Sequence, residues 1–320
     1  PAVAGPRRTL IVNGHTDVVP VAAQEWTRQP FRATLEGDRL YGRGTADMKG
    51  GIAAAICALD VLERAGRSPA CDLVFHLVAD EESGGRLGTR ALLDAGEMVG
   101  DACLVPEPTG MAVGVAERGQ LRVEVILHGR PGHGSRPREG VSAIEHGAHL
   151  VLALHAADFG DPEHPLLGRP TANVGTISGG SGINTVAETC RLGVDRRVLP
   201  GVGLEEALAQ VRRRIESAGV EGLNYELEVV EFAEGSEMPA DDPFALGVRD
   251  AVEAETGRRP QVVGMTFTTD ARFVRNQAGI PAVVCGPGEL AQAHSNDEWV
   301  SVERLVDATA AYAELFATFH

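Results

Sequence analysis

No two cysteines of this chain stand in CxxC spacing, and their total, five, is odd. Cys57, Cys71, Cys103, Cys190 and Cys285 lie apart, mostly inside apolar runs. They read as small buried hydrophobes in a reducing compartment and not as a disulfide framework. Positive charge is short as well: 29 Lys and Arg face 45 Asp and Glu, a formal net charge of −16. That balance argues against nucleic acid and an anionic membrane surface as partners. No apolar run approaches the length of a membrane span and no stretch resembles a signal peptide, so a cytoplasmic location is expected. Pro1 has no Met before it, which fits removal of an initiator Met or trimming of a longer chain. Repeats and low-complexity segments do not stand out. The glycines between Gly42 and Gly51 miss the GxxxxGK[ST] spacing of a phosphate loop, and their expected use is to let the backbone approach a site closely.

What the chain has is ordinary globular composition, 43% hydrophobic and 23% charged over 320 residues, enough for one large domain or two smaller ones. Strands are expected at Thr9–Asn13, Arg39–Tyr41, Asp72–Ala79 and Ala102–Val105. Helices are expected at Met48–Ala65, closed by Gly66, and at Thr89–Asp94, with a loop from Pro20 to Glu36. Such alternation indicates an α/β fold with a mainly parallel sheet. The pattern changes near Ala116. Gln120–Leu127, Ala172–Ser178, Thr189–Val198 and Tyr225–Phe232 read as strands, with helices at Val141–His155 and Leu204–Ser217. That order, β-α-β-β-α-β, is the split pattern of a ferredoxin-like domain. After Pro239 the α/β style resumes, with helices at Pro243–Glu255, Ala271–Gln277 and Val302–Phe319 and strands at Gln261–Gly264 and Ala282–Cys285. The expected organisation is therefore an α/β catalytic domain in two pieces, 1–116 and 233–320, with a ferredoxin-like domain, 117–232, inserted between them.

Five side chains that bind metals through nitrogen or oxygen stand out: His15, Asp47, Glu82, Glu107 and His294. His15, Glu82 and Glu107 each fall within a few residues of an expected strand end, where function gathers in open α/β sheets. Asp47 stands just before a helix and, taken alone, reads as its N-cap. Two imidazoles and three carboxylates suit two divalent cations, one carboxylate bridging them, and such a pair activates water and polarises a carbonyl. Nitrogen and oxygen donors favour Zn²⁺, with Co²⁺ or Mn²⁺ next. Asp17, two residues after His15, is placed to hold the imidazole's other N–H. Glu81 and Glu82 are neighbours, and in extended chain neighbours point to opposite sides. Glu82 is therefore assigned to metal and Glu81 to moving the proton between water and leaving amine. His76 reads as core or wall. The histidines His128, His146, His149, His155 and His164 of the insert read as helix-face and loop residues, not as a second metal site.

Gly14-His15-Thr16-Asp17-Val18-Val19-Pro20, the run Gly42 to Gly51 and Glu81-Glu82-Ser83-Gly84-Gly85 occur in this order ahead of the insert, with Ala293-His294-Ser295-Asn296-Asp297-Glu298 after it. Together they resemble the M20 family of metallopeptidases and amidohydrolases, most of all its branch of acetylornithine deacetylases and succinyl-diaminopimelate desuccinylases. The resemblance implies that His15 and Glu107 hold one metal and Glu82 and His294 the other, with Asp47 bridging. It also implies that Asp17 orients His15 and that Glu81 is the general base. By the same resemblance His133, in Pro-Gly-His-Gly-Ser, steadies the tetrahedral intermediate and often comes from a partner subunit, so a homodimer through the inserted lid is implied. Asn184, Arg197, Thr268 and Arg272 match positions that bind substrate, an arginine's planar fork being suited to a carboxylate. The implied reaction is hydrolysis of the amide of an N-acyl amino acid or small peptide. An M20-type dipeptidase or carboxypeptidase is the near alternative, and a catalytically silent binding or scaffold protein on the same fold the distant one; a two-metal phosphoesterase lacks a basic phosphate clamp. Two departures from the family stand out. Only a short stretch precedes the Gly-His-Thr-Asp strand, and Gly134 stands where the family often has Ser.

Overall fold

Aliphatic runs with no alternation make strands buried on both faces, and such strands pair in parallel under covering helices. Thr9–His15 is of this kind, buried from Leu10 onward. It pairs in parallel with Asp72–Val78 on one side and Ala102–Pro108 on the other. Ala282–Gly286 adds in parallel beyond Ala102–Pro108. Val113–Glu117 then pairs antiparallel with Ala282–Gly286, and Ser236–Glu237 and Val262–Met265 flank it to complete a seven-stranded, mainly parallel sheet. The structure is a computed structural model that describes residues 7–21 and 25–320. Pro1 and residues 22–24 of the expected Pro20–Glu36 loop lie outside the described residues.

The chain gathers into two compact units. One takes the chain up to Ala116 with Glu237–Met265 and Thr269–His320; the other takes Glu117–Ser236 with Thr266–Thr268. In the first, helices Lys49–Arg64 and Pro243–Thr256 both pack on Val302–Thr318. Leu10, Val12, Leu62, Leu104, Val248, Val283, Tyr312 and Phe316 lie in its core. Gly66, at φ 64°, ends the first of these helices as expected, the N–H groups of Gly66 and Arg67 donating to Glu63 and Leu62 carbonyls. A small antiparallel sheet joins Trp299–Ser301, Arg39–Tyr41 and Thr34–Glu36.

The second unit runs Gly119–His128, Ala143–Leu154, Ala172–Gly179, Thr189–Val198, Leu204–Ser217 and Tyr225–Ala233, strand-helix-strand-strand-helix-strand. Its antiparallel sheet has the order Tyr225–Ala233, Gly119–His128, Thr189–Val198, Ala172–Gly179. The alternation along Gly119–His128 buries Leu121, Val123, Val125 and Leu127 on one face, where Leu150, Leu154, Val211 and Ile215 of the helices cover them. Arg196 is wholly buried in this unit, donating to Asp161 at 2.6 Å and also to Gln210. No helix among the described residues is long and apolar enough to cross a membrane.

Four short strands escape the sequence reading: Thr34–Glu36, Val113–Glu117, Ser236–Glu237 and Trp299–Ser301. The first falls inside the expected loop, and Val113–Glu117 is buried along its whole length, so it carries no alternation. The helix expected at Ala271–Gln277 is instead a single α-turn, Ala271–Phe273, that widens into a π-turn, Val274–Ala278.

Candidate metal centre and active site

Three adjacent parallel strands deliver the first of the expected ligands. His15 is the last residue of Thr9–His15, Glu107 lies near the end of Ala102–Pro108, and Glu82 sits in a short 3₁₀ turn, Glu81–Ser83, just after Asp72–Val78. Asp47 comes from the loop ahead of Lys49–Arg64, and His294, at φ 61°, from the loop after Ala282–Gly286. His15 Nε2 is 3.1 Å from Asp47 Oδ1 and 3.5 Å from Glu107 Oε1. His294 Nε2 is 3.3 Å from Asp47 Oδ2 and 3.1 Å from Glu82. The two oxygens of one carboxylate thus face two different imidazoles. His15 and Glu107 are buried, whereas the His294 side chain is 54% exposed.

One bare alternative falls away and one local expectation needs correction. Asp47 is not a helix cap: the N-cap is Met48, with no capping side chain, and the Asp47 carboxylate turns to the imidazoles instead. Glu81 and Glu82 are not in extended chain but in a turn bounded by left-handed Asp80 and Gly84. Their side chains nevertheless part. Glu82 reaches His294, while a Glu81 oxygen clusters with His15 and Glu107 within 4.8 Å. Asp17 does stand against His15, although the nearer acceptor for Nδ1 is its backbone carbonyl at 3.0 Å, with the carboxylate 3.5 Å away. The other Asp17 oxygen accepts the Glu82 N–H at 3.3 Å, which ties the two segments together.

Burial and, after it, the crowding of like charge set the electrostatics. Burial, followed by the Asp47 charge, pushes Glu107 up to about 8. Burial, followed by Glu107 and Asp270, pushes Glu81 well above the usual carboxylate range. Burial opposes a charged His15, but Glu107 and Asp47 outweigh it and hold the imidazole far above its ordinary value. Burial likewise opposes ionisation of Asp47, and bonds from His15 and His294 overcome it. Hydrogen bonds to Asp47 and Glu82 push His294 up to about 10. Four carboxyl groups, Asp47, Glu81, Glu82 and Glu107, crowd two imidazoles, and protons held on Glu81 and Glu107 relieve that crowding in the absence of metal. An all-nitrogen-and-oxygen donor set that can shed those protons fits divalent cations, and deprotonated imidazoles would then ligate in place of donating.

The remaining expected residues divide between the units. His133 Nδ1 is 2.8 Å from Ser135 Oγ, in an exposed loop bridged to Thr185. Asn184 lies beside it, its carbonyl accepting the Gly134 N–H at 2.8 Å. A Cβ on Gly134 would sit 2.9 Å from the Asn184 backbone, which gives a steric reason for glycine there. Arg197 grips Asp195 through Nε and Nη2, at 2.9 and 3.2 Å. Thr268 donates to the Arg118 carbonyl at 2.8 Å. Arg272 is buried and donates to the carbonyls of Thr269 and Gly84, at 2.8 and 3.0 Å, so its guanidinium anchors the turn that carries Glu81 and Glu82. Sequence reading passed over Arg43 and Glu298, a buried pair 2.6 Å apart under the Asp47 loop. The one available signal was an acid following His294 by four positions and directly preceding an aromatic strand residue, Trp299.

Carboxylates and imidazoles gathered at the carboxyl ends of parallel strands, with a proton-holding acid beside them, define a hydrolytic α/β enzyme. The chain belongs to peptidase family M20/M25/M40, whose model matches residues 11–318. It is an M20 hydrolase. It is 33% identical to an acetylornithine deacetylase of Edwardsiella ictaluri over 324 residues, 97% of this chain and 80% of that one. With a succinyl-diaminopimelate desuccinylase of Methylorubrum populi it shares 32% over 328 residues, 99% of this chain and 83% of the other. Among solved structures, an M20 family metallo-carboxypeptidase of Sulfolobus solfataricus superposes with a TM-score of 0.81 at 20% identity, over 99% of this chain and 86% of that one.

Proposed function

We propose that the protein removes the acyl group from an N-acyl amino acid, in the manner of a deacetylase or desuccinylase, using two divalent ions, Zn²⁺ first among them and Co²⁺ or Mn²⁺ as substitutes. The observation that carries this reading is Asp47, whose two oxygens each face a different imidazole. His15 and Glu107 would hold one ion, Glu82 and His294 the other, and Asp47 both. When bound, such ions lower the pKa of a water and polarise the scissile carbonyl.

The chain's own residues supply the rest. Glu81 as the carboxylate accepts the proton of the attacking water; its surroundings favour the protonated form so produced, which then passes that proton to the leaving nitrogen, so a single carboxyl serves as base and then as acid. Asp17 fixes the ring of His15 and, through the Glu82 N–H, the turn bearing Glu81. The second unit we read as a ferredoxin-like lid and dimerisation domain, 117–232, inserted into a catalytic domain of 1–116 and 233–320; its element order and antiparallel sheet support that reading. His133 is assigned to the developing oxyanion, and Asn184, Arg197, Thr268 and Arg272 to the substrate carboxylate. The proposed working form is a cytoplasmic homodimer.

The test is metal content by elemental analysis, paired with hydrolysis of acetyl-, succinyl- and aminoacyl-amino acids before and after chelation. Two equivalents of metal with chelator-sensitive release of an acetyl or succinyl group is the expected result. Preference for aminoacyl substrates would move the assignment to a dipeptidase. Cleavage that ignores the chelator would overturn the metal reading.

A further inference from the structure

A carboxylate offers about four acceptor positions, and a buried one must fill them or incur a desolvation cost. Glu298 is buried, its side chain 1% exposed. Its Oε2 accepts from Arg43 Nη1 at 2.6 Å and from the Gly44 N–H at 3.0 Å. Its Oε1 accepts from the N–H groups of Ala46 and Asp47, at 2.8 and 3.1 Å. The Glu298 backbone carbonyl also accepts the Gly42 N–H at 2.9 Å. Those contacts use the carboxylate's acceptor capacity on protein donors, so Glu298 has none left for metal or substrate.

The donors it collects are not scattered. They are the side chain of Arg43 and the amides of Gly44, Ala46 and Asp47, the segment that delivers the carboxylate lying between His15 and His294. With its own N–H pinned to Glu298, Asp47 has its backbone orientation set, and its side chain meets both imidazoles. Glu298 also follows His294 by four positions, so one side chain couples the loop of the second imidazole to the loop of the shared carboxylate. Glycine keeps that seat tight: a Cβ on Gly44 would meet the Lys49 side chain at 2.5 Å, and one on Gly288 would meet the Ala46 carbonyl at 2.2 Å. An ordinary buried ion pair would serve stability alone; this one is spent on the amides of a ligand loop.

We propose that Glu298 is a positioning residue that sets Asp47 between the two metal positions, with Arg43 holding Glu298 in turn. The inference rests on the reading of Asp47 as the shared ligand. Glu298→Gln keeps the shape but replaces an acceptor oxygen with an N–H₂ facing other donors. The test measures Zn²⁺ affinity by competition with a chromophoric chelator and records the visible spectrum of the Co²⁺-loaded protein, with circular dichroism to establish folding. The expected result is a folded Glu298→Gln that binds metal about 10–100-fold more weakly and shows shifted Co²⁺ bands. Wild-type affinity and unchanged bands in the folded variant overturn the proposal, whatever happens to thermal stability. If Glu298→Gln does not fold, Arg43→Lys, which takes the planar fork from Glu298, is measured in the same way and unchanged values there overturn it. A wild-type protein that binds no divalent ion would bring down the metal reading of the site itself, a result seen before any variant is made.

Discussion

Replacing Gly51 with alanine should weaken both the fold and the metal site, although alanine is the better helix former. Gly51 lies in the first turn of Lys49–Arg64, and a Cβ there would stand 2.1 Å from the Pro106 carbonyl oxygen and 2.8 Å from the Pro106 Cβ. Ordinary contact begins at 3.4 Å, and the obstacle is strand backbone that cannot swing aside. Helix and strand would have to part by about 1 Å, an overpacking that costs roughly 1–3 kcal/mol. The gain in helix propensity returns about 1 kcal/mol, leaving a net loss of up to about 2 kcal/mol. Gly247→Ala is the control, because Gly247 sits inside Pro243–Thr256 with nothing within 4 Å of a built Cβ. There the propensity gain stands alone, and stability should rise by up to about 1 kcal/mol. Urea unfolding of the metal-free protein, followed by circular dichroism, separates the two signs. Pro106 directly precedes Glu107, so Gly51→Ala should also bind zinc about tenfold more weakly. A Gly51→Ala protein as stable as Gly247→Ala, with undiminished zinc affinity, would refute the packing argument.

Glu81→Gln should lower turnover at least about 100-fold while elemental analysis finds metal content unchanged; full activity would remove Glu81 from the mechanism. In the metal-free protein Glu107 and His294 titrate in the fold at about 8 and about 10, above their ordinary values of 4.5 and 6.5. The folded state then holds more protons than the unfolded one, so stability is lost as pH rises. The thermal midpoint should fall between pH 6.5 and 10, the window of the His294 shift, and saturating zinc should flatten that slope; a midpoint that climbs with pH in the metal-free protein would contradict the site electrostatics. Asp161→Ala strands the wholly buried Arg196 and should cost about 3–5 kcal/mol in denaturant unfolding, with Arg196→Met in the same chain recovering most of it.

Elements with a long period or a clear stop were legible in the sequence. Thr89–Asp94, Thr189–Val198 and Leu204–Ser217 have the bounds expected of them, and Gly66 stops Lys49–Arg64 where its freedom at positive φ says it should. Arg39–Tyr41 was expected with its bounds, whereas Trp299–Ser301, which exists because it pairs with that distant strand, was not. The residues of the candidate site were readable because His15, Glu82 and Glu107 follow apolar runs. The orientation of Asp47 was not, because before a helix a carboxylate's commonest use is to cap it. What redirects Asp47 is Glu298, 251 positions away along the chain. The turn at Glu81 was hidden for a similar reason: Arg272 reaches it from 188 positions away, at the Gly84 carbonyl.

The last helix has a consequence for how the protein is made. Val302–Thr318 packs against both Lys49–Arg64 and Pro243–Thr256, its Tyr312 donating to the Cys285 carbonyl at 2.6 Å and its Phe316 fully buried. During synthesis the amino-terminal strands leave the ribosome long before that helix exists, with Leu10, Val12 and Leu104 still lacking their cover. The six elements from Gly119 to Ala233, by contrast, are contiguous and have their own core complete as soon as they emerge. The nascent chain therefore passes through a state with one finished unit and one exposed apolar sheet, the kind of species that chaperones recognise. His294 and Glu298 are made well after His15, Asp47, Glu82 and Glu107, so on the proposed ligand assignment the second ion must wait for the late segment. A chain stalled short of Val302–Thr318 should be a client for protein quality control.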